Sequence, residues 1–224
     1  MNKVLGGLLL AWVLLVSRVS AANLEDHPTA AVMDFGIHEG AAASDTNIQG
    51  AGKAAAEYVI HRLIHDGHFL IAERDLARKQ MDEERLKTVG LIDPDSAKRI
   101  GEILKVHYVI YGNVNDVAFS ETGAGIDMSI VGGVNIGTVS SHIIARIMDV
   151  NTGTILMAAK GEGKSKSSYV FAGTKHIGVI NIGTKIVTQD SVHNAIQKAA
   201  FQAVDVLMER LYGKEKVKGK EVDE

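Results

Sequence analysis

The 224-residue chain sets 24 Lys and Arg against 27 Asp and Glu, and a formal net charge of -3 offers no electrostatic footprint for a nucleic-acid partner. It contains no cysteine, which excludes a disulfide framework, a thiol nucleophile and the cysteine-borne lipid that anchors many envelope proteins. Its length suits one domain with a sizeable core.

Met1–Ala22 reads as a secretory signal peptide: Lys3 charges its start, Val4–Val16 is apolar with glycine, and Ser20, Ala21 and Ala22 offer a cleavage site. The apolar run is too short to span a bilayer, and no later stretch is longer. The expected address is the periplasm, with secretion as the second choice.

Thr29–Phe35 predicts a first strand buried on both faces. Gly36–Gly50 predicts a long loop of small residues, with Asp45 or Thr46 able to cap the next helix. That helix is expected over Ala51–His65, with Ala55, Ala56, Val59, Ile60 and Leu63 on one stripe and Gly67 as its stop. Phe69–Glu73 then makes a second strand. Strand, helix and strand together predict parallel pairing with a right-handed crossover. A charged helix is expected next, over Asp75–Thr88. Another opens at Asp93 and Pro94, with Ala97, Ile100, Ile103 and Leu104 as its apolar stripe. Val106–Val117 predicts a third strand.

Ile143–Lys160 is the clearest hairpin in the chain. Two β-rich runs flank Asn151-Thr152-Gly153, where Asn or Gly can supply the positive φ of a tight turn. Both faces carry apolar residues, so this ribbon belongs centrally, with helices on one face and another surface or a partner on the other. Its flanks, Ala118–Ser141 and Gly161–Gln189, are rich in Gly, Ser, Thr and β-branched residues and lack a helical period. Each draws as two short strands about a turn, at Gly132-Gly133 and at Ala172–Lys175. Ser191–Leu211 predicts an amphipathic helix presenting Ile196, Ala199, Ala200, Ala203, Val204 and Leu207, and Gly213–Glu224 is an alternating-charge tail expected to be disordered. The expected organisation is a signal peptide over 1–22, one α/β domain over 23–212 with arms at about 118–141 and 161–189, and the tail over 213–224.

Enzymatic chemistry finds little footing. Gly50-Ala51-Gly52-Lys53-Ala54-Ala55 matches a relaxed dinucleotide fingerprint, and Glu73 ends a strand where a ribose-binding acid belongs. Yet a long loop separates Phe35 from Gly50, whereas the first glycine should come directly after its strand. A phosphate loop fails because Asn47 replaces its leading glycine and Ala54 its hydroxyl residue. His61 and His65 stand one turn apart, with His68 beyond, but Arg62 occupies the place of a zinc-protease glutamate. Helix-end histidines in solvent explain them better. Neither a cofactor nor a metal is expected.

Several segments taken in order resemble the CsgG-type curli production assembly/transport components and their holdfast-attachment relatives. These are Ala30–Phe35, Phe69–Arg74, Gly90–Asp93 with Ala97 and Gly101, Tyr108–Val114 and Ala145–Gly153. The resemblance implies an α/β fold of the anticodon-binding-domain type: a mixed sheet with flanking helices and two extended β-hairpin arms, assembled into a homo-oligomeric ring. In the family's curli exporter, two hairpins per subunit join into an outer-membrane barrel that passes unfolded fibre subunits. Phe119, Ile126, Met128, Ile130, Val134 and Ile136 in the first flank, and Tyr169, Phe171, Ile180 and Ile182 in the second, are then candidates for lipid or inter-subunit contact. Asn47 and Gln49 fall in the loop that would narrow the pore. This loop has no aromatic residue, and the flanks lack aromatic girdles.

Two functions are expected. One is a non-enzymatic export or assembly component of the cell envelope, acting as a ring that binds an exported or envelope protein and contacts the outer membrane. The other is a soluble periplasmic adaptor or activator of another envelope machine. A nucleotide enzyme using Gly50–Ala55 is the third and weakest.

Overall fold

The computed structural model describes residues 27–38, 50–73, 94–121, 127–128, 132–171, 179–182 and 185–213. The expected signal peptide, the expected Asp75–Thr88 helix and the tail beyond Gly213 lie outside these residues.

The fold is mixed α/β. Strand β1 (Thr29–Val32) pairs in parallel with β3 (Leu70–Ile71) on one side and with β4 (Tyr108–Glu121) on the other. Helix α1 (Ala51–Asp66) connects β1 to β3, so the expected strand–helix–strand unit is present. Gly67 closes α1 at φ 80°, its N–H returning to Leu63 O, because only glycine takes that conformation without a Cβ penalty. At the other end Gly50 is itself the cap, at φ 97° and with no side-chain hydrogen bond. Asp45 and Thr46, the expected caps, lie outside the described residues. The loop expected over Gly36–Gly50 also begins as a strand: β2 (Gly36–Ile37) runs parallel to β4.

Helix α2 (Pro94–Leu104) starts at its proline, as the sequence predicts. Ala97, Ile100 and Gly101 are buried, but Ile103 is 40 % exposed and leaves the expected stripe. Gly101 is needed at the contact, since a Cβ there would come within 2.3 Å of Val150 Cγ2 and 2.9 Å of Val109 Cγ2.

The centre of the sheet is three long antiparallel strands: β4, β6 (Gly132–Asp149) and β7 (Thr154–Phe171), with short β5 (Asp127–Met128) pairing at the far end of β6. The turn between β6 and β7 is fixed by its own residues. Gly153 supplies φ 68°, and Asp149 Oδ1 accepts from Thr152 N at 2.9 Å. Gly132 and Gly133 sit inside β6 opposite Met128 and Asp127, so the turn expected there is corrected to strand. The turn expected at Ala172–Lys175 lies outside the described residues. Beyond it, β8 (Val179–Ile182) and β9 (Lys185–Thr188) form a separate antiparallel pair.

Helix α3 (Gln189–Tyr212) lies with α1 on one face of the sheet, while α2 covers the other face near the β6–β7 turn. Ile196, Ala199, Ala200, Ala203, Val204 and Leu207 are all fully buried, as expected. Each large aliphatic side chain removed from water in this way contributes about 1.5–3 kcal/mol.

Candidate functional site

The two sequence flanks are strands, and they pair with each other. The first supplies the outer part of β4, β5 and the start of β6; the second supplies β7, β8 and β9. The register runs unbroken from Gly133↔Phe171 to Ile147↔Met157, so one ribbon carries both flanks.

This ribbon outruns its cover. Strands β6 and β7 have 18 residues each, a span of roughly 60 Å. Helix α3 has 24 residues and reaches roughly 36 Å. The half near the Asp149–Thr154 turn is therefore roofed by α3, and the distal half extends past the start of that helix.

In the roofed half the contact is backbone on backbone. A Cβ on Gly161 would lie 1.9 Å from Ala199 O, and one on Gly163 would lie 1.9 Å from Ala195 O. Glycines two apart on a strand face a helix stripe of alanines four apart, so the layers approach more closely than side chains permit. The same arrangement explains Gly52, where a Cβ would meet Phe35 O at 1.9 Å. The fingerprint-like glycine of Gly50–Ala55 thus serves helix–strand packing.

The opposite, open face of the ribbon is polar. His142 stands between two carboxylates in its cross-strand row: Nδ1 is 3.4 Å from Asp116 Oδ2, and Nε2 is 3.7 Å from Glu162 Oε1. Lys160 Nζ donates to Glu162 Oε1 at 2.7 Å, and this contact, ahead of the lysine's charge, holds the Glu162 carboxyl below its ordinary value. Arg146 Nη1 donates to Asn113 Oδ1 at 3.2 Å. Lys164, Lys166 and Ser168 continue this exposed row along β7.

The expected site residues divide between two sheets. Phe119 is partly buried and its ring covers Gly137, whose Cβ would lie 2.2 Å from Phe119 Cζ. Ile136 is 53 % exposed, opposite Ser168. Met128 pairs with Gly132, Val134 with Val170, Tyr169 with Asn135, and Phe171 with Gly133. Ile180 and Ile182 pair with Val187 and Lys185 in the β8–β9 hairpin. The structure therefore brings Phe119, Val134, Ile136, Tyr169 and Phe171 into one ribbon and puts Ile180 and Ile182 in another sheet. Asn47, Gln49, Ile126 and Ile130 lie outside the described residues.

Of the three histidines singled out in the sequence, His61 and His68 have packing partners and His65 is exposed. His61 stacks on Phe201 at 6.0 Å between centroids, beside an Arg62–Asp205 ion pair of 2.7 Å that ties α1 to α3. His68 pairs with Asp66 and stacks on Tyr212 at 4.2 Å. Burial, then Tyr108 and Asp66, raises the Tyr212 phenol above its ordinary value. Among the described residues no cluster of acids and histidines is arranged to hold a metal ion. No described helix is long and apolar enough to cross a membrane, which leaves strands undecided.

Sequence reasoning missed three α3 side chains that meet the outer edge of β7. Arg210 Nη1 donates to Ala158 O at 2.9 Å, Gln202 Oε1 accepts from Glu162 N at 2.5 Å, and Lys198 Nζ donates to Lys164 O at 3.1 Å. Their spacing in multiples of four was visible, but such a polar stripe reads equally well as a solvated helix face.

Comparison with known proteins gives one strong match. The model of a family described as the curli production assembly/transport component CsgG matches residues 14–223. No curated protein sequence matches the chain. Among solved structures, a hypothetical protein from Chlamydia trachomatis, CT253, is similar at 10 % identity over 86 % of this chain and 98 % of that one, with a TM-score of 0.44. A PelC dodecamer from Paraburkholderia phytofirmans is similar at 13 % identity over 83 % and 89 %, with a TM-score of 0.35. The LpoB C-terminal domain from Salmonella enterica is similar at 16 % identity over 69 % and 91 %, with a TM-score of 0.38. Likenesses at scores this low carry no inference about what the chain does.

Proposed function

Because the chain belongs to the CsgG family of curli production assembly/transport components, we propose that it is a non-enzymatic component of a bacterial envelope export or assembly apparatus, exported to the periplasm and working as a homo-oligomeric ring. The ribbon is the part that joins copies. One observation carries this reading: β6 and β7 extend past the start of α3, where Thr188 N donates to Ser167 Oγ at 3.2 Å, and β7 has no strand on its outer side among the described residues. A long unpaired edge is a template for another strand, and natural chains retain one where a partner uses it.

The ring reading does not require the ribbon to enter lipid. A spanning strand has about 9–11 residues, of which every second one is apolar and faces lipid. The described open face instead carries Thr138, Ser140, His142, Lys160, Glu162, Lys164 and Lys166, with Ile136 and Ile144 as its apolar members. That polarity favours a water-facing ribbon over this stretch. It also supports the second reading, a soluble periplasmic adaptor that engages another envelope protein through the same surface.

The test is the mass of the mature protein purified without detergent, measured by light scattering, beside its distribution between soluble and membrane fractions. A soluble oligomer of defined size supports the ring. A strict monomer at all concentrations overturns it and favours the adaptor.

A further inference from the structure

The outer edge of β7 is not open along its whole length. In the unbroken register with β6, even-numbered residues of β7 turn their N–H and C=O groups away from β6. Ala158 O, Glu162 N and Lys164 O obey that parity, and each already has a partner: Arg210, Gln202 and Lys198 of α3. The geometry is periodic. Four helical residues advance about 6 Å and two strand residues advance about 6.8 Å. Positions 198, 202, 206 and 210 therefore keep step with 164, 162, 160 and 158 as the two elements run antiparallel. Val206, the remaining member of this series, is apolar and partly buried against the core.

The cover has a definite end. No described side chain bonds the edge-facing backbone of Lys166 or Ser168. The opposite side of the ribbon is open over a similar length: β4 pairs with β1 and β2 only as far as Val114, leaving Asp116–Glu121 without an outer strand among the described residues. The two open edges differ in charge. Strand β4 carries Asp116 and Glu121 with no Lys or Arg, whereas β7 carries Lys160, Lys164 and Lys166 against Glu162 alone.

We propose that Lys198, Gln202 and Arg210 of α3 are an edge guard that bars strand addition to β7 from Ala158 to Lys164, so that a second copy of this chain can join β7 only from Lys166 outward, presenting the acidic β4 edge at Asp116–Glu121. This rests on the ring reading above and adds to it where pairing stops and which edge is received. An edge that differs from its receiving surface makes a head-to-tail contact, the kind that closes into rings. Both strands lead away from the turn-proximal core, so copies whose ribbons point alike pair these edges in parallel.

The experiment compares two proline substitutions on one strand, made in the full mature chain. Proline removes an edge-facing N–H without touching the bonds to β6. Lys166→Pro is expected to abolish the oligomer, whereas Glu162→Pro, inside the guarded stretch, leaves its mass unchanged. A third variant, Lys198→Ala with Gln202→Ala and Arg210→Ala, is expected to speed amide exchange at Glu162 by about five- to tenfold, the loss of one hydrogen bond. It is also expected to self-associate beyond the wild-type size.

Equal loss of assembly in both proline variants, or assembly unaffected by either, overturns the guard while the ring stands. A monomeric wild type removes the ring reading alone. In that case the guard is still judged by the triple variant, and unchanged exchange and unchanged mass overturn it.

Discussion

Along β6 and β7, the half next to the Val150–Gly153 turn and the distal half share one continuous register but differ in almost everything else. The near half lies under α3, with glycines at 161 and 163 pressed against the helix backbone and its outer edge bonded by helix side chains. Beyond Ser167, whose Oγ accepts from Thr188 N at the head of α3, the ribbon has no such roof from α3, and no described side chain bonds the edge-facing backbone of Lys166 or Ser168. The difference shows that a strand's neighbours decide whether it is core or interface, since the ladder is the same in both halves. The near half holds the subunit together, and on the reading proposed above the distal half is the part that meets a second copy.

The largest effect on that contrast is expected from Gly163→Val. Its Cβ would be driven toward Ala195 O at 1.9 Å, so α3 must lift from the strand. We expect a loss of about 3 kcal/mol or more in urea unfolding, or no folded protein at all. Leu207→Ala, which hollows the same roof, is expected to cost about 2–5 kcal/mol. Ile136→Thr in the distal half is expected to change stability by no more than about 0.5 kcal/mol, because that side chain is 53 % exposed. If Ile136→Thr costs as much as Leu207→Ala, the distal half is core after all.

A smaller effect concerns the C-terminal end of α3. Tyr212 is held above its ordinary value near 10.0. The neutral phenol is the form the fold favours, so its contribution is intact below pH 10 and is lost as pH rises through the raised value. Tyr212→Phe is expected to flatten the alkaline fall in stability. A wild-type and variant pair with the same alkaline limb would contradict the assignment. A further small effect is expected from Ser141→Ala, midway along β6. Its hydroxyl is fully buried with no hydrogen-bond partner among the described residues, so removal is expected to be neutral or stabilising by up to about 1 kcal/mol.

Most of the near half was legible in the sequence because it is local. Alanines and aliphatics at helical spacing marked α3, Gly67 marked the end of α1, Pro94 the start of α2, and Asn151–Gly153 the ribbon turn. The family resemblance was legible for the same reason, since its motifs sit on β1, β3, β4 and β6. What escaped were properties set by contacts distant in sequence. Gly161 and Gly163 counted only as members of a glycine-rich extended flank, whereas they are the sites where a helix touches a strand. Gly132 and Gly133 looked like a turn because a glycine pair in isolation favours one, yet β5 pairs with them and keeps them extended. Ile103 matched the apolar period of α2 but stands 40 % exposed, outside the buried set of Ala97, Ile100 and Gly101. Of the candidate site, the extended flanks could be read. Their pairing into one ribbon and the α3 residues along its edge could not, because an i, i+4 polar stripe has the same pattern whether it meets water or a strand.

Because the chain has no cysteine, disulfide trapping tests the claim that distal ribbons join copies most directly. Lys166→Cys is combined in turn with Asp116→Cys, Ala118→Cys and Ser120→Cys. Within one subunit β6 separates these strands by roughly 9.6 Å or more, beyond the reach of a disulfide, so any bond formed joins two molecules. The account predicts that at least one pair oxidises into a ladder of covalent multimers ending at a fixed size, matching the mass of the untrapped oligomer. Monomers alone in all three pairs, at concentrations where the wild type is oligomeric, would contradict it.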